Sequence, residues 1–115
     1  MLKRCVLVST LLLPIGNVAA AKNTVLHCDG YQVGDEHPLA DQIITLDLQN
    51  NIVVSIQLGP NPKDVINAPI KVSKNQIQWS YEPVNKIYVF DQKNSRLELR
   101  SDQLELVGIF ECSTS

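Results

Sequence analysis

Residues 43–58 read IITLDLQNNIVVSIQL. The stretch decides the fold, because two alternating apolar runs flank a short polar turn. Ile44, Leu46 and Leu48 share one face of the first run, and Ile52, Val54, Ile56 and Leu58 share one face of the second. A period of two marks a strand with one buried side. For the faces to meet, Leu48 must stand opposite Ile52. That leaves Gln49-Asn50-Asn51 as a three-residue loop with Asn51 in the left-handed position. A two-residue Asn50-Asn51 turn would set Leu48 against Val53 and misalign the faces.

The same reasoning extends outward. PIKVS (69–73) and QIQWSY (76–81) align Val72 with Ile77 and Ile70 with Trp79 if Lys74-Asn75 is a two-residue turn. IYVF (87–90) and RLEL (96–99) align Phe90 with Leu97 and Tyr88 with Leu99, and set Asp91 opposite Arg96 as a cross-strand charge pair. QLELVGIFEC (103–112) puts Leu104, Leu106, Phe110 and Cys112 on one face, and TVLHCDGYQV (24–33) supplies a first strand. The reading gives eight strands, no helical period, no low-complexity segment and no internal repeat.

The N-terminus has a different character. Lys3 and Arg4 precede an apolar run, Cys5–Gly16, followed by the small residues of Asn17–Ala21. This is the pattern of a cleaved signal peptide, 1–21. The run is shorter than the ~20 residues a spanning helix needs, so no membrane span is expected after cleavage. Cleavage leaves about 95 of the 115 residues, a single domain, 22–115. Without Lys3 and Arg4, eight basic residues face twelve acidic ones, a net charge of −4. That balance argues against nucleic acid, which wants a basic face.

The exported chain keeps Cys28 and Cys112. Two cysteines in an oxidising compartment, periplasmic or extracellular, are expected to pair. The bridge would tie the first strand to the last, as a closed barrel requires. The expected fold is therefore all-β: an antiparallel meander of about eight strands closing into a small barrel, with a two-sheet sandwich as the alternative. Eight strands leave an interior filled by side chains or wide enough for one small ligand.

A meander alternates its connections between two ends. Gln49–Asn51, Lys74-Asn75 and Gln92–Ser95 fall at one end, with the cystine toward them. Gly34–Asp41, Gly59–Asn67, Glu82–Asn85 and Ser101-Asp102 fall at the other. Binding groups favour longer loops on a rigid scaffold. The long-loop end is thus the candidate rim, with Asp35, Glu36, His37 and Asp64 as its binding residues. Asp41, Glu82 and Asp102 add negative charge against Lys63 and Lys86, a balance that would suit a cationic partner. Trp79 and Tyr81 share the face of Ile77, which reads as core; the sharper reading makes Trp79 an interior ligand contact.

HCDGYQVGDEH (27–37) holds both histidines. Its spacings match no zinc motif, and Asp35-Glu36 alone does not make a calcium loop, so no metal is assigned. Cys28 is expected to be half of a cystine rather than a thiolate beside His27. There is no GxSxG, no phosphate-cradling glycine loop and no motif-placed acid pair. No catalytic residue and no cofactor are therefore assigned.

Two resemblances add to this reading. Leu46-Asp47-Leu48, Ile77-Gln78-Trp79, Phe90-Asp91 and Phe110-Glu111-Cys112 resemble a pattern in small secreted bacterial proteins of uncharacterised function. That pattern has an early cysteine, an LDL hairpin, an IxW strand, an FDRxSG hairpin and a final aromatic-x-Cys. Here Gln92 replaces its Arg and Asn94-Ser95 its glycine turn. The likeness implies a secreted single-disulfide β fold. Phe110-Glu111-Cys112-Ser113 is also similar to the ending of the periplasmic C-type lysozyme inhibitors, which implies a secreted barrel with a cystine near both ends. The terminal lysine of that family is missing and its SGxxY motif has no counterpart, so no inhibitory residue is carried over.

Two functional classes follow. One is a non-enzymatic module that binds a protein, peptide or small ligand at its long-loop end, lysozyme inhibition being one variant. The other is an enzyme whose groups are assembled across strands. A polar interior cluster around His27 or His37 would favour the enzyme.

Overall fold

The structure, a computed structural model, describes residues 23–114. The signal segment read over 1–21 lies outside the described residues. Alternating apolar residues build nine strands: β1 (Thr24–Gln32), β2 (Pro38–Asp47), β3 (Ile52–Leu58), β4 (Asp64–Pro69), β5 (Lys71–Ser73), β6 (Gln76–Tyr81), β7 (Lys86–Asp91), β8 (Arg96–Arg100) and β9 (Leu106–Thr114). A 3-10 turn, Glu82–Val84, joins β6 to β7. All nine lie in one antiparallel sheet, ordered β4-β3-β2-β1-β9-β8-β7-β6-β5, that curls into a nearly closed barrel. The sheet is continuous, so the sandwich alternative does not describe it.

First and last strands are neighbours, with Cys28 directly opposite Cys112. The two form a disulfide with Cα atoms 4.1 Å apart, closing 84 residues of chain. The Cys112 N–H donates to the Ser95 carbonyl at 2.9 Å, which sets that half of the cystine level with a tight turn. Gly30 lies opposite Phe110 in the same ladder. A Cβ at Gly30 would collide with the Ile109 carbonyl oxygen and stand 2.7 Å from the Phe110 Cα. Only a glycine lets β1 and β9 approach this closely.

The ninth strand arises at a corner. The segment read as one strand, 69–73, changes partner at Ile70. Before it, β4 pairs with β3, with Pro69 opposite Ile52; after it, β5 pairs with β6, with Lys71 opposite Gln78. Ile70 therefore does not oppose Trp79. Its N–H turns back to the Asn51 carbonyl at 2.9 Å, and its side chain is buried. Nor is 59–67 all loop, since β4 begins at Asp64. Asn67, at φ 47°, and a register shift kink β4, and Pro69 sits where an edge strand tolerates it.

The opening hairpin also departs from expectation. Asp47, not Leu48, opposes Ile52, so the loop is 48–51. The ladder then jumps from Leu46↔Val53 to Thr45↔Ser55, leaving Val54 as a bulge. A bulge residue inverts the alternation. Val53, Ser55 and Ile56 are consequently buried, while Ile52 and Val54 are only half-buried. Asn51 does take the left-handed conformation, at φ 56°.

Elsewhere the pairs stand as read: Val72↔Ile77, Phe90↔Leu97, Tyr88↔Leu99 and Asp91↔Arg96. The last is a ladder pair but not an ion pair. Asp91 accepts from the Lys93 N–H and the Asn94 side chain, at 2.9 and 2.8 Å, while Arg96 faces Glu98. Leu104 is 56% exposed in a turn, so β9 begins only at Leu106. The core is the barrel interior, with Leu26, Ile44, Leu46, Ile77, Tyr88, Leu97 and Phe110 fully enclosed. Each such side chain contributes about 1.5–3 kcal/mol by leaving water.

Candidate functional site

The barrel is incomplete along one seam. β4 and β6 flank it but are not hydrogen-bonded neighbours, and β5 covers β6 only as far as Gln78. Between them lies a cleft of about 550 Å3. Ile66, Ala68 and Pro69 line its β4 side, and Trp79 and Tyr81 its β6 side. The cleft reaches the long-loop end, because Asp64 begins β4 and Tyr81 ends β6 just before Glu82 and Pro83.

One side-chain bond spans the seam. The Tyr81 hydroxyl donates to Asp64 Oδ2 at 2.7 Å. Burial first, then this bond and the carboxylate charge, push the Tyr81 hydroxyl up to about 12. Behind it three aromatic rings pack together. Trp79 stacks on its cross-strand partner Tyr88 with centroids 5.2 Å apart and planes at 20°. Tyr81 meets the same Tyr88 ring edge-on at 6.2 Å. The Tyr88 hydroxyl donates to Gln42 Oε1 at 2.8 Å across the core, and burial raises its pKa. Trp79 is 2% exposed and its indole Nε1 has no hydrogen-bond partner.

The four rim residues do not form one cluster. Asp35, Glu36 and His37 occupy a single compact turn, 33–37, shorter than the loop read over 34–41 because β2 begins at Pro38. Asp35 Oδ1 accepts the His37 N–H at 3.1 Å, and the His37 carbonyl accepts the Gln32 N–H at 2.7 Å. Gly34, at φ 109°, and Glu36, at φ 56°, carry the reversal. Asp64 belongs to the seam, committed to Tyr81. The division into two ends holds, but the loop lengths converge: 33–37, 59–63, 82–85 and 101–105 face 48–51, 74–75 and 92–95. Ser101 closes the last of the longer set by accepting the N–H groups of Gln103 and Glu105 on its hydroxyl, both at 3.2 Å.

His27 and Asp29 point outward from β1, exposed on the face away from the core. With Asp41 and Glu111 they border a shallow concavity of about 420 Å3 over the cystine. His37 is exposed in its turn, so neither histidine lies in the interior. Among the described residues no group of three or more His, Cys, Asp or Glu side chains is placed to hold a metal. The bond of Tyr81 across the seam is the feature that sequence reasoning misses. The Tyr81 ring does lie in the core with Trp79, as the sequence reads, but its hydroxyl reaches Asp64, which begins a strand where the sequence reads as loop. The signal was weak because Asp64–Pro69 does not alternate cleanly.

Comparison with protein-family models, with curated proteins and with solved structures finds no match to this chain.

Proposed function

We propose that this chain is an exported, non-enzymatic binding module that acts through its long-loop end in the periplasm or the extracellular space. The observation that carries the reading is the seam cleft, which opens at that end and is bounded there by the Tyr81–Asp64 bond. A concave, largely apolar site with a few placed polar groups is the usual form of a binding pocket. Asp35 and Glu36 add an acidic lip at the same end. The cystine supports export, since such bridges persist in oxidising compartments. Among the described residues no helix is long and apolar enough to cross a membrane.

The partner is a protein, a peptide or a small ligand. The test uses the oxidised protein as bait for the exported fraction of its producing cell. Asp35→Lys with Glu36→Lys should weaken recovery of a specific partner and leave the melting temperature unchanged. Undiminished recovery by that variant, together with loss on replacing Lys74 and Lys93 at the opposite end, would contradict the reading.

A further inference from the structure

Among the described residues the indole N–H of Trp79 is the one buried side-chain polar group without a hydrogen-bond partner. Buried donors nearly always find an acceptor, and one that does not asks for an explanation. Trp79 is 2% exposed, its ring is stacked on Tyr88, and yet Nε1 has no partner. The same residue lines the seam cleft, whose volume of about 550 Å3 falls within the range of small-molecule sites. The inner walls, Ile66, Ala68 and Pro69, offer apolar contact and no donors from their side chains. Charged groups at the cleft, Asp64, Glu82 and Lys71, are of mixed sign. A bare charge on a ligand would be poorly solvated against those walls.

The seam is also the place where the barrel opens with least disruption. Separating β4 from β6 breaks no backbone ladder, because they are not ladder neighbours. It breaks the Tyr81–Asp64 bond. β4 is an edge strand, kinked at Asn67 and released from β6 by the corner at Ile70. Small openings of this kind involve the least bonded elements of a fold.

We propose that the cleft between β4 and β6 binds a small uncharged molecule with a compact apolar body and one hydrogen-bond-accepting oxygen, which takes the Trp79 indole N–H, and that the Tyr81–Asp64 bond is the latch that admits it. This rests on the long-loop-end reading and names the ligand chemistry of that end. The oxygen satisfies the orphan donor. The apolar body lies against Ile66, Ala68 and Pro69. Reclosure of the latch excludes water, which strengthens the new hydrogen bond.

Trp79 is the single tryptophan of the chain, so its indole N–H gives one resonance in a 1H–15N spectrum. The probes are acetophenone and α-methylstyrene, which share shape and differ in carrying a carbonyl or a methylidene. Acetophenone should shift the indole resonance saturably. α-Methylstyrene should bind about tenfold more weakly, as loss of one buried hydrogen bond implies. Tyr81→Phe, and independently Asp64→Asn, should raise the rates at which acetophenone enters and leaves several-fold by loosening the latch, read from the line shape of the indole resonance, and should not tighten its binding. Equal binding of the two probes would overturn the proposal. So would an indole resonance that stays fixed up to the solubility of acetophenone in the wild type and both variants. Shifts confined to residues 33–37 would overturn it while leaving the long-loop-end reading intact. That reading instead fails on the Asp35 and Glu36 variant, which does not touch the indole.

Discussion

Tyr81 and Asp64, seventeen residues apart, meet in a 2.7 Å hydrogen bond across the gap between β6 and β4, where the sheet has no ladder. The bond joins a buried phenol to a carboxylate at the mouth of the cleft. It makes Asp64 different in kind from Asp35 and Glu36, with which sequence reasoning grouped it.

The latch should set an alkaline limit to stability. Tyr81 rises on folding from 10.0 to about 12, and Tyr88 also rises. A group whose pKa is raised in the fold contributes fully below its unfolded value and loses that contribution as pH climbs toward the folded one. Melting temperature should therefore hold to about pH 9 and fall above pH 10. Tyr81→Phe should flatten part of that fall, and at neutral pH should cost about 1.5–3 kcal/mol, the range for a hydrogen bond to a charged group. Thermal denaturation across pH 7–11 checks both.

Rim and floor should separate in a stability assay. Asp35→Lys with Glu36→Lys should barely move the melting temperature, because exposed loop charges contribute little to folding. Trp79→Ala removes a buried ring stacked on Tyr88 and should cost about 3–5 kcal/mol. Asp64→Lys should fall between them, since it strips the Tyr81 hydroxyl of its acceptor. Chemical denaturation of the three variants orders them.

The junction of first and last strands should be intolerant. Without reductant the purified exported protein should show no free thiol, by alkylation and mass spectrometry. Cys112→Ser should cost about 2–5 kcal/mol, the range for native bridges in small secreted domains. Gly30→Ala, beside the bridge, should destabilise by about 1–3 kcal/mol or prevent folding, because its methyl meets the Ile109 carbonyl rather than a movable side chain. A Gly30→Ala protein of unchanged stability would contradict the close approach of β1 and β9.

The two Asp-x-x-Asn turns should govern the acid side. Asp47 and Asp91 each accept from the Asn three residues on, through its backbone and its side chain. The side-chain bond from Asn50 is the larger cause holding Asp47 below its usual value, and that from Asn94 does the same for Asp91. A lowered carboxyl contributes above the unfolded value, near 3.8, and its contribution is lost as pH falls through the folded one. Asp47→Ala and Asp91→Ala should each reduce the drop in melting temperature between pH 5 and pH 2.

These turns also show what the sequence made legible. The β7–β8 hairpin was read in register because Phe90, Tyr88, Leu97 and Leu99 alternate without interruption around Asp91–Asn94. Asp47–Asn50 repeats that turn chemistry and closes the same four-residue loop, 48–51 in place of 92–95. Matching apolar faces instead gave a shorter loop, because the bulge at Val54 inverts the alternation and leaves no mark in residue type. The pairing of first and last strands follows from two cysteines and the expectation of export. The seam does not, since Asp64–Pro69 carries a left-handed Asn67 and a proline, and reads as loop. A contact between strands that share no ladder has no local signature, which is why Tyr81–Asp64 and the orphan Trp79 indole emerged only in three dimensions.

The proposed meeting with partners takes place at the long-loop end. It is tested most directly by placing a photo-crosslinking benzoylphenylalanine at Glu36 or Pro83, and in separate proteins at Asn75 or Lys93 on the opposite end. Each protein is exported, irradiated in the producing cell and analysed for covalent adducts by mass spectrometry. The account predicts specific adducts from positions 36 and 83 and none from 75 and 93. Adducts formed only from 75 or 93, or equally from both ends, would contradict it.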